Sequence, residues 1–434
     1  MKWQERIVWL LAVLAAGVSL AIVPGGFLLR RDQAQFASPI LEVRDRLRLS
    51  YVDDLSGEKA SDLMNEAAIE GMVGKFDPYT QYIPPAGADN FERAITGRFE
   101  GIGVSLNVTP SGEIQVLTPM DDSPALKAGI APLDVIVRAG GTLLKGKSFD
   151  EVRSLVTGPE GSSVELEIRK PDGTVTKITV ERKRINSTTL FGLFRNADGS
   201  QQFFIDPGSK IAYVRISQFT GDTAEHLKTK LEKLHAQGMT ALVLDLRFNP
   251  GGELREAVEM LNLFISEGVI LRTRGTHRSE QTYSVEPGRT LQFVPMAVLV
   301  NGNSASASEI VAGALSEHRR ATIVGTRTFG KGSVQEPMPL DNGGILKVTV
   351  AHYYLPSGRL LHRAQGSTEW GVDPQLAVPM TEEQDAKLVK YWGESQIYYT
   401  RAQASTRPAT GRPQDAQLAA AEQALVTELL LRNK

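Results

Sequence analysis

The chain contains no cysteine. Disulfides, thiolate catalysis, iron–sulfur clusters and cysteine-based zinc sites are thereby excluded together. Histidine is scarce: His226, His235, His277, His318, His352 and His362 are scattered, and no HExxH pattern occurs, so neither a metal nor a cofactor is expected. An excess of one charge is also missing. With 48 Lys and Arg against 50 Asp and Glu the formal net charge is −2, and 23% charged residues of balanced sign set up no large field. That excludes a basic nucleic-acid binder and an acidic disordered tail. What is present is an ordinary globular composition, 41% hydrophobic over 434 residues. At roughly 100 to 200 residues per domain, this length predicts about two to four domains with cores of their own.

The one long hydrophobic run lies at the amino terminus. Ile7 to Leu29 carries no charge and is closed by Arg30 and Arg31. At about 1.5 Å per residue it is long enough for a helix to cross a ~30 Å hydrocarbon core, so an N-terminal transmembrane anchor is expected. A cleaved signal sequence is the alternative, with Ser19 and Ala21 as the small residues near a cut. Lys2 and Arg6 precede the run while Arg30, Arg31, Arg44, Arg46 and Arg48 follow it, so charge does not orient it. From Ser38 to Arg93 the apolar period is helical, and Asp77-Pro78 and Pro84-Pro85 break it into short helices.

From Gly97 the period changes to two. Val104, Leu106 and Val108 alternate, Pro110-Ser111-Gly112 turns the chain, and Ile114 and Val116 begin a return strand. A short helix from Ser123 to Ala128 ends at Gly129, a strand runs from Asp134 to Arg138, and a helix follows near Phe149 to Val156. The hairpin Val164–Arg169 and Thr174–Glu181 closes the unit across Pro171-Asp172-Gly173. The turn Gly101-Ile102-Gly103-Val104 lets successive backbone N–H groups face one concavity, a nest for a carboxylate, beside a strand edge to which a peptide can add. With Ser123-Pro124-Ala125 and Ala128-Gly129-Ile130, the string resembles a PDZ domain, whose binding loop captures a peptide C-terminus.

Beyond Asn186, strands and helices alternate. Thr240 to Leu246 is a continuous apolar strand of the buried kind, followed by Arg247-Phe248-Asn249-Pro250-Gly251-Gly252 and a helix with Leu254, Ala257, Val258, Leu261 and Ile265 on one face. A strand ending in a Gly-Gly turn that feeds a helix presents unpaired N–H groups and can hold an anion or an oxyanion. The arrangement repeats at once in the strand Met296 to Val300, the turn Asn301-Gly302-Asn303 and the helix Ile310 to Glu317, opened by Ser306-Ala307-Ser308-Glu309. By spacing alone Ser306 and Glu309 fit a capping box. A serine at a helix start, next to the Ala307 N–H, is equally the place for a nucleophile beside an oxyanion donor.

A base candidate follows 25 residues later. In the extended segment Thr328-Phe329-Gly330-Lys331-Gly332-Ser333-Val334-Gln335, Lys331, Ser333 and Gln335 share one face. A lysine deprotonates serine only when neutral, which needs desolvation to lower its pKa from about 10.4. Gln335 can accept a hydrogen bond from the amine and fix its direction. A rival motif is excluded: Gly325 to Gly332 nearly spells a phosphate loop, but Gly332 stands where a hydroxyl residue would hold magnesium, and strand rather than helix follows. A Ser-His-Asp hydrolase is disfavoured because no G-x-S-x-G occurs and His318 belongs on the far turn of the serine's own helix.

A PDZ unit followed by Asp245-Leu246-Arg247-Phe248-Asn249-Pro250-Gly251-Gly252, Ser304-Ala305-Ser306-Ala307-Ser308-Glu309 and Thr328 to Gln335 resembles the carboxyl-terminal processing, or tail-specific, proteases over about residues 35 to 380. The resemblance implies a serine endopeptidase acting near or from protein C-termini, with Ser306 as nucleophile, Lys331 as general base and Gln335 as its orienting partner. Backbone N–H groups of Gly251 or Gly252 and of Ala307 would form the oxyanion hole, while Gly101, Ile102, Gly103 and Val104 would hold the substrate tail. It implies no cofactor and no nucleic acid, with proteins or peptides bearing accessible C-termini as partners. The expected architecture is a multidomain α/β chain: membrane anchor or signal sequence 1–31, helical N-terminal region 32–95, PDZ domain 96–184, mixed α/β serine protease core 185–380, and a C-terminal helical region with linker 381–434. Members often dimerise through terminal helices, so Ala416 to Leu431, after the linker at 402–414, has a second subunit as one expected partner. Because the family works outside the cytoplasm, the catalytic part is expected on the extracytoplasmic side of a membrane, periplasmic or cell-surface, or secreted after signal cleavage.

Overall fold

The computed structural model describes residues 35–397, apart from residues 197 and 292–293, together with residues 411–432. Its contacts divide the chain into two compact units, residues 1–86 with 337–348, and residues 87–336 with 349–434.

The described part of the first unit starts with a helix at residues 35–50 and a second helix, Glu58–Val73, which has no buried residue. Asp77 forms the break before the strand Gln81–Ile83: its carboxylate accepts from the Tyr79 and Thr80 amides at 2.7 and 2.8 Å and from the Thr80 hydroxyl at 2.6 Å. That strand pairs antiparallel with residues 345–347, and Tyr82 is buried with its hydroxyl accepting from Asn342 Nδ2 at 2.8 Å.

The expected transmembrane anchor is corrected at this point. Among the described residues no helix is long and apolar enough to cross a membrane, and the first described helix carries Glu42, Arg44, Asp45, Arg46 and Arg48, too much charge for hydrocarbon. The run Ile7 to Leu29, on which the anchor and the signal sequence both rested, lies outside the described residues. The fold is a mixed α/β architecture with a small antiparallel-strand domain and a larger core built on a mostly parallel sheet.

In the second unit, five antiparallel strands follow in the order Val104–Val108, Ile114–Pro119, Val135–Ala139, Ser163–Arg169 and Val175–Glu181, with Thr142–Leu143 pairing to the third. Alternate residues of these strands, such as Val164, Leu166 and Ile168, enter a core with Ile114, Val116 and Val152. The helix Pro124–Lys127 is capped by Ser123, whose Oγ accepts from the Leu126 amide at 3.1 Å, and it ends at Gly129 with φ +78°. The helix Phe149–Val156 starts with a full capping box from Ser148 and Glu151.

The larger part of this unit is built on a six-stranded sheet ordered Leu190–Phe191, Ile211–Ile216, Ala241–Asp245, Met296–Val300, Thr322–Gly325 and Leu376–Ala377. Its neighbours are parallel except for the first pair. Every residue of Ala241–Asp245 and Met296–Val300 is buried, which explains their unbroken apolar runs. Alternation divides them between two layers. Leu242, Leu244, Val298 and Val300 face the helices Thr223–Ala236, Leu254–Asn262 and Ala307–Glu317, whereas Val243, Ala297, Leu299 and Val324 meet Leu418, Ala421 and Leu425 of the helix Ala416–Arg432. This corrects the expectation of a second subunit as that helix's partner, because its apolar stripe covers the chain's own sheet.

Candidate active site

Two strand-to-helix turns meet at the carboxyl ends of adjacent parallel strands, where such sheets place their sites. The first turn is anchored by buried charge. Asp245 ends its strand fully buried, accepting from the Tyr213 hydroxyl at 2.8 Å and from the Arg247 amide at 3.0 Å. The Arg247 guanidinium, also buried, donates to Asp245, to both oxygens of Asp415 at 2.9 and 2.8 Å and to Gln417 at 3.0 Å, and it lies 5.4 Å from the Trp392 ring centroid. Burial pushes the Asp415 carboxyl up, but the Arg247 hydrogen bonds and charge outweigh it and hold it below its ordinary value.

Asn249 then shapes the turn. Buried completely, it donates through Nδ2 to the Ile216 carbonyl at 2.9 Å and accepts from the Gly251 amide at 2.9 Å. Gly251 has φ +99°, and a Cβ there would stand 2.7 Å from Ser306 Cβ and 2.9 Å from the Ala307 nitrogen. Gly252 has φ +144° and packs against the Phe219 carbonyl, 1.9 Å from where its Cβ would be. Only glycine fits either position.

The second turn is stitched to the first. Asn301 Oδ1 accepts from the Phe248 amide at 3.0 Å, Ser304 Oγ donates to the Leu246 carbonyl at 2.8 Å, and Ser308 Oγ donates to the Asn249 carbonyl at 3.0 Å. Two of the three serines in the motif are thus committed to structure, and among the described residues the Ser306 hydroxyl donates to no such carbonyl. Ser306 is 7% exposed and has φ +55°, ψ −116°, a backbone conformation that costs a side-chain-bearing residue about 1–3 kcal/mol. It precedes the helix Ala307–Glu317, and among the described residues no acceptor meets the Ala307 or the Gly252 amide. The expected capping pair forms: Glu309 accepts from the Ser306 amide at 2.8 Å.

The third motif is brought to this place through the same carboxylate. Glu309 Oε2 also accepts from the Lys331 amide at 2.8 Å, so the backbones of Ser306 and Lys331 share one oxygen atom. Gln335 lies farther along, with Nε2 donating to the Ser333 carbonyl at 3.0 Å and hydroxyl at 2.8 Å. The structure therefore gathers Ser306, Ala307, Gly251, Gly252 and the Lys331 backbone. Sequence reasoning missed Asp245, Arg247, Asn249, Asn301 and the wider reach of Glu309. The one local signal was a charged pair, Asp245 and Arg247, at the end of an otherwise apolar strand.

The tail-binding candidates form a separate constellation. Gly101 pairs with Lys183, Ile102 is buried and its carbonyl accepts from the Ala125 amide at 2.9 Å, and the Gly103 carbonyl accepts from the Met120 amide at 3.0 Å. Gly103 has φ +72° and stands so close to Ser123 that a Cβ would lie 2.5 Å from its side chain. Val104 opens the strand beside a groove of about 340 Å³, lined by Phe99, Leu106, Phe149, Val156 and the side chains of Arg93 and Arg153.

Two family profiles match the chain. The profile of Peptidase family S41 matches residues 210–378, and that of a PDZ domain matches residues 115–170. The chain is similar to a carboxy-terminal-processing protease of Bartonella bacilliformis, 33% identical over 363 residues, which cover 82% of this chain and 78% of that one. It is also similar to the carboxy-terminal processing protease CtpA of Bacillus subtilis, 30% identical over 378 residues, covering 87% and 77%. Among solved structures, a photosystem II D1 C-terminal processing protease matches 78% of this chain and 92% of its own at 28% identity, with a TM-score of 0.43. The chain belongs to the carboxyl-terminal processing serine proteases of peptidase family S41, with a PDZ domain ahead of its protease core.

Proposed function

We propose that the chain cleaves proteins near their C-termini by acyl transfer, with Ser306 and Lys331 as the working pair. Ser306 Oγ attacks the scissile carbonyl while neutral Lys331 takes its proton. The tetrahedral oxyanion is received by the Gly252 and Ala307 amides, Lys331 passes the proton to the leaving amine, and water then hydrolyses the acyl-enzyme. The observation that carries the reading is the Ser306 turn. It is strained, it opens a helix, and its hydroxyl is the one of the three that is not given to a backbone carbonyl. Gly252 is favoured over Gly251 as donor because the Gly251 amide is already spent on Asn249. Gln335, whose nitrogen is held by Ser333, has its amide oxygen left as the acceptor for the lysine amine. The Ile102 to Val104 amides and the adjoining groove would take the substrate's terminal carboxylate and last side chain.

The test is mass spectrometry of a peptide with an apolar free C-terminus, incubated with the full chain as wild type, Ser306→Ala and Lys331→Ala. Cleavage by the wild type alone is expected, at a rate that climbs with pH as the lysine is deprotonated. Cleavage that survives either substitution, or a rate that peaks in acid, would overturn the pair. Binding of the peptide with no cleavage by any of the three would point to a PDZ module that only holds its ligand.

A further inference from the structure

The acidic residue of the serine motif does more than a helix cap requires. A cap needs one acceptor for the first free amide, and Glu309 supplies that to Ser306. Its remaining hydrogen bonds all reach a different segment. Oε2 also takes the Lys331 amide at 2.8 Å, while Oε1 takes the Gly330 amide at 2.7 Å and the Thr328 hydroxyl at 2.6 Å. The carboxylate is completely buried. Burial raises its carboxyl pKa above the ordinary value, and the four donors offset only part of that rise.

We infer that Glu309 is a positioning residue, which sets the distance between nucleophile and base by fastening the Ser306 and Lys331 backbones to one carboxylate. The inference rests on the Ser306–Lys331 reading above. Four donors converge on two oxygens, which only an ionised carboxylate satisfies in full. A glutamine of the same shape turns one acceptor into an NH₂ group that faces amides or a hydroxyl and leaves buried donors unpaired. Lys331 stands between Gly330 and Gly332, whose carbonyls accept from the Arg363 and Tyr353 amides at 2.9 and 2.8 Å, and the Glu309 carboxylate is the group that joins this held segment to the Ser306 backbone. Thr328 extends the anchor, because its Oγ1 also accepts from the Val372 amide at 2.7 Å. Misplacing a reacting group by an ångström costs about 100-fold in rate, the scale expected once this tie is lost.

The experiment is steady-state cleavage of the tailed reporter peptide by the full chain, as wild type, Glu309→Gln, Thr328→Val and Thr328→Ser, with Ser306→Ala and Lys331→Ala run alongside. Thermal melts accompany each variant. Glu309→Gln is expected to lower kcat by roughly 30- to 100-fold with KM within about threefold of wild type. Thr328→Val, which removes one donor to the carboxylate and the acceptor of the Val372 amide, is expected to lose about 3- to 10-fold in kcat, and Thr328→Ser to restore it by returning the hydroxyl. The threonine pair carries the test if Glu309→Gln does not fold. A kcat for Glu309→Gln within threefold of wild type, a loss borne mainly by KM, or Thr328→Ser as slow as Thr328→Val would each overturn the assignment. Wild-type cleavage by Lys331→Ala would instead sink the serine–lysine reading, and the two failures are thereby told apart.

Discussion

The chain contains two turns lined with backbone amides, and they are built in opposite ways. The PDZ loop from Gly101 to Val104 is held by main-chain bonds, Ala125 to the Ile102 carbonyl and Met120 to the Gly103 carbonyl, with Ser123 capping the small helix beside it. The turns around Ser306 and Gly251 are held by buried side chains: Glu309, Asn249, Asn301, Ser304, Ser308 and, behind them, Arg247 with Asp245 and Asp415. On the proposed function, the first loop receives a ready-made carboxylate and tolerates some give. A site that meets charge only as it develops must be fixed beforehand, and buried acceptors with strict geometry provide that rigidity. They also make the protease turn the more fragile of the two, since each orphaned partner is costly.

That contrast can be broken by substitution. Arg247→Ala should have the largest effect, about 3–5 kcal/mol in a urea melt, because it leaves Asp245 and Asp415 buried without their cation. A loss under 1 kcal/mol would mean that the charge network does not hold the turn. Gly103→Ala should come next, at roughly 1–3 kcal/mol, since φ +72° and the Ser123 side chain both oppose a Cβ. Should it cost as much as Arg247→Ala, the PDZ loop would be no more forgiving than the protease turn. Ser123→Ala should cost about 1 kcal/mol, the usual value of a helix cap. The smallest effect sharpens the comparison from the other side. Ser306→Gly should be more stable than Ser306→Ala by about 1 kcal/mol, because glycine relieves the backbone strain at φ +55° while both variants lack the hydroxyl alike. Equal melting temperatures for the two would show that the turn stores no strain.

Much of the architecture was legible along the chain. Phe149 to Val156 and the strands around Pro110-Ser111-Gly112 were readable because period and turn residues are local properties. The apolar runs ending at Asp245 and Val300 announced buried parallel strands in the same way. The helix from Ala416 was legible as a helix, yet its partner was not: its stripe of Leu418, Ala421 and Leu425 would suit a second subunit as well as a sheet.

The candidate site divides along the same line. Residue types and their spacing determined that a serine opens a helix and that two glycines follow a strand, whereas Lys331, expected in an extended segment, stands in a loop just ahead of the strand Ser333–Pro339. Only the tertiary structure decided which serine keeps its hydroxyl, because Ser304 and Ser308 spend theirs on carbonyls of the other turn. It decided likewise that Gly251, and not Gly252, gives its amide to Asn249, and that Arg247 finds Asp415 across a separation of 168 residues. Local sequence encodes backbone preference, which acts over a few residues. A hydrogen bond between segments is set by where packing brings them, and that is known only once the whole sheet has formed.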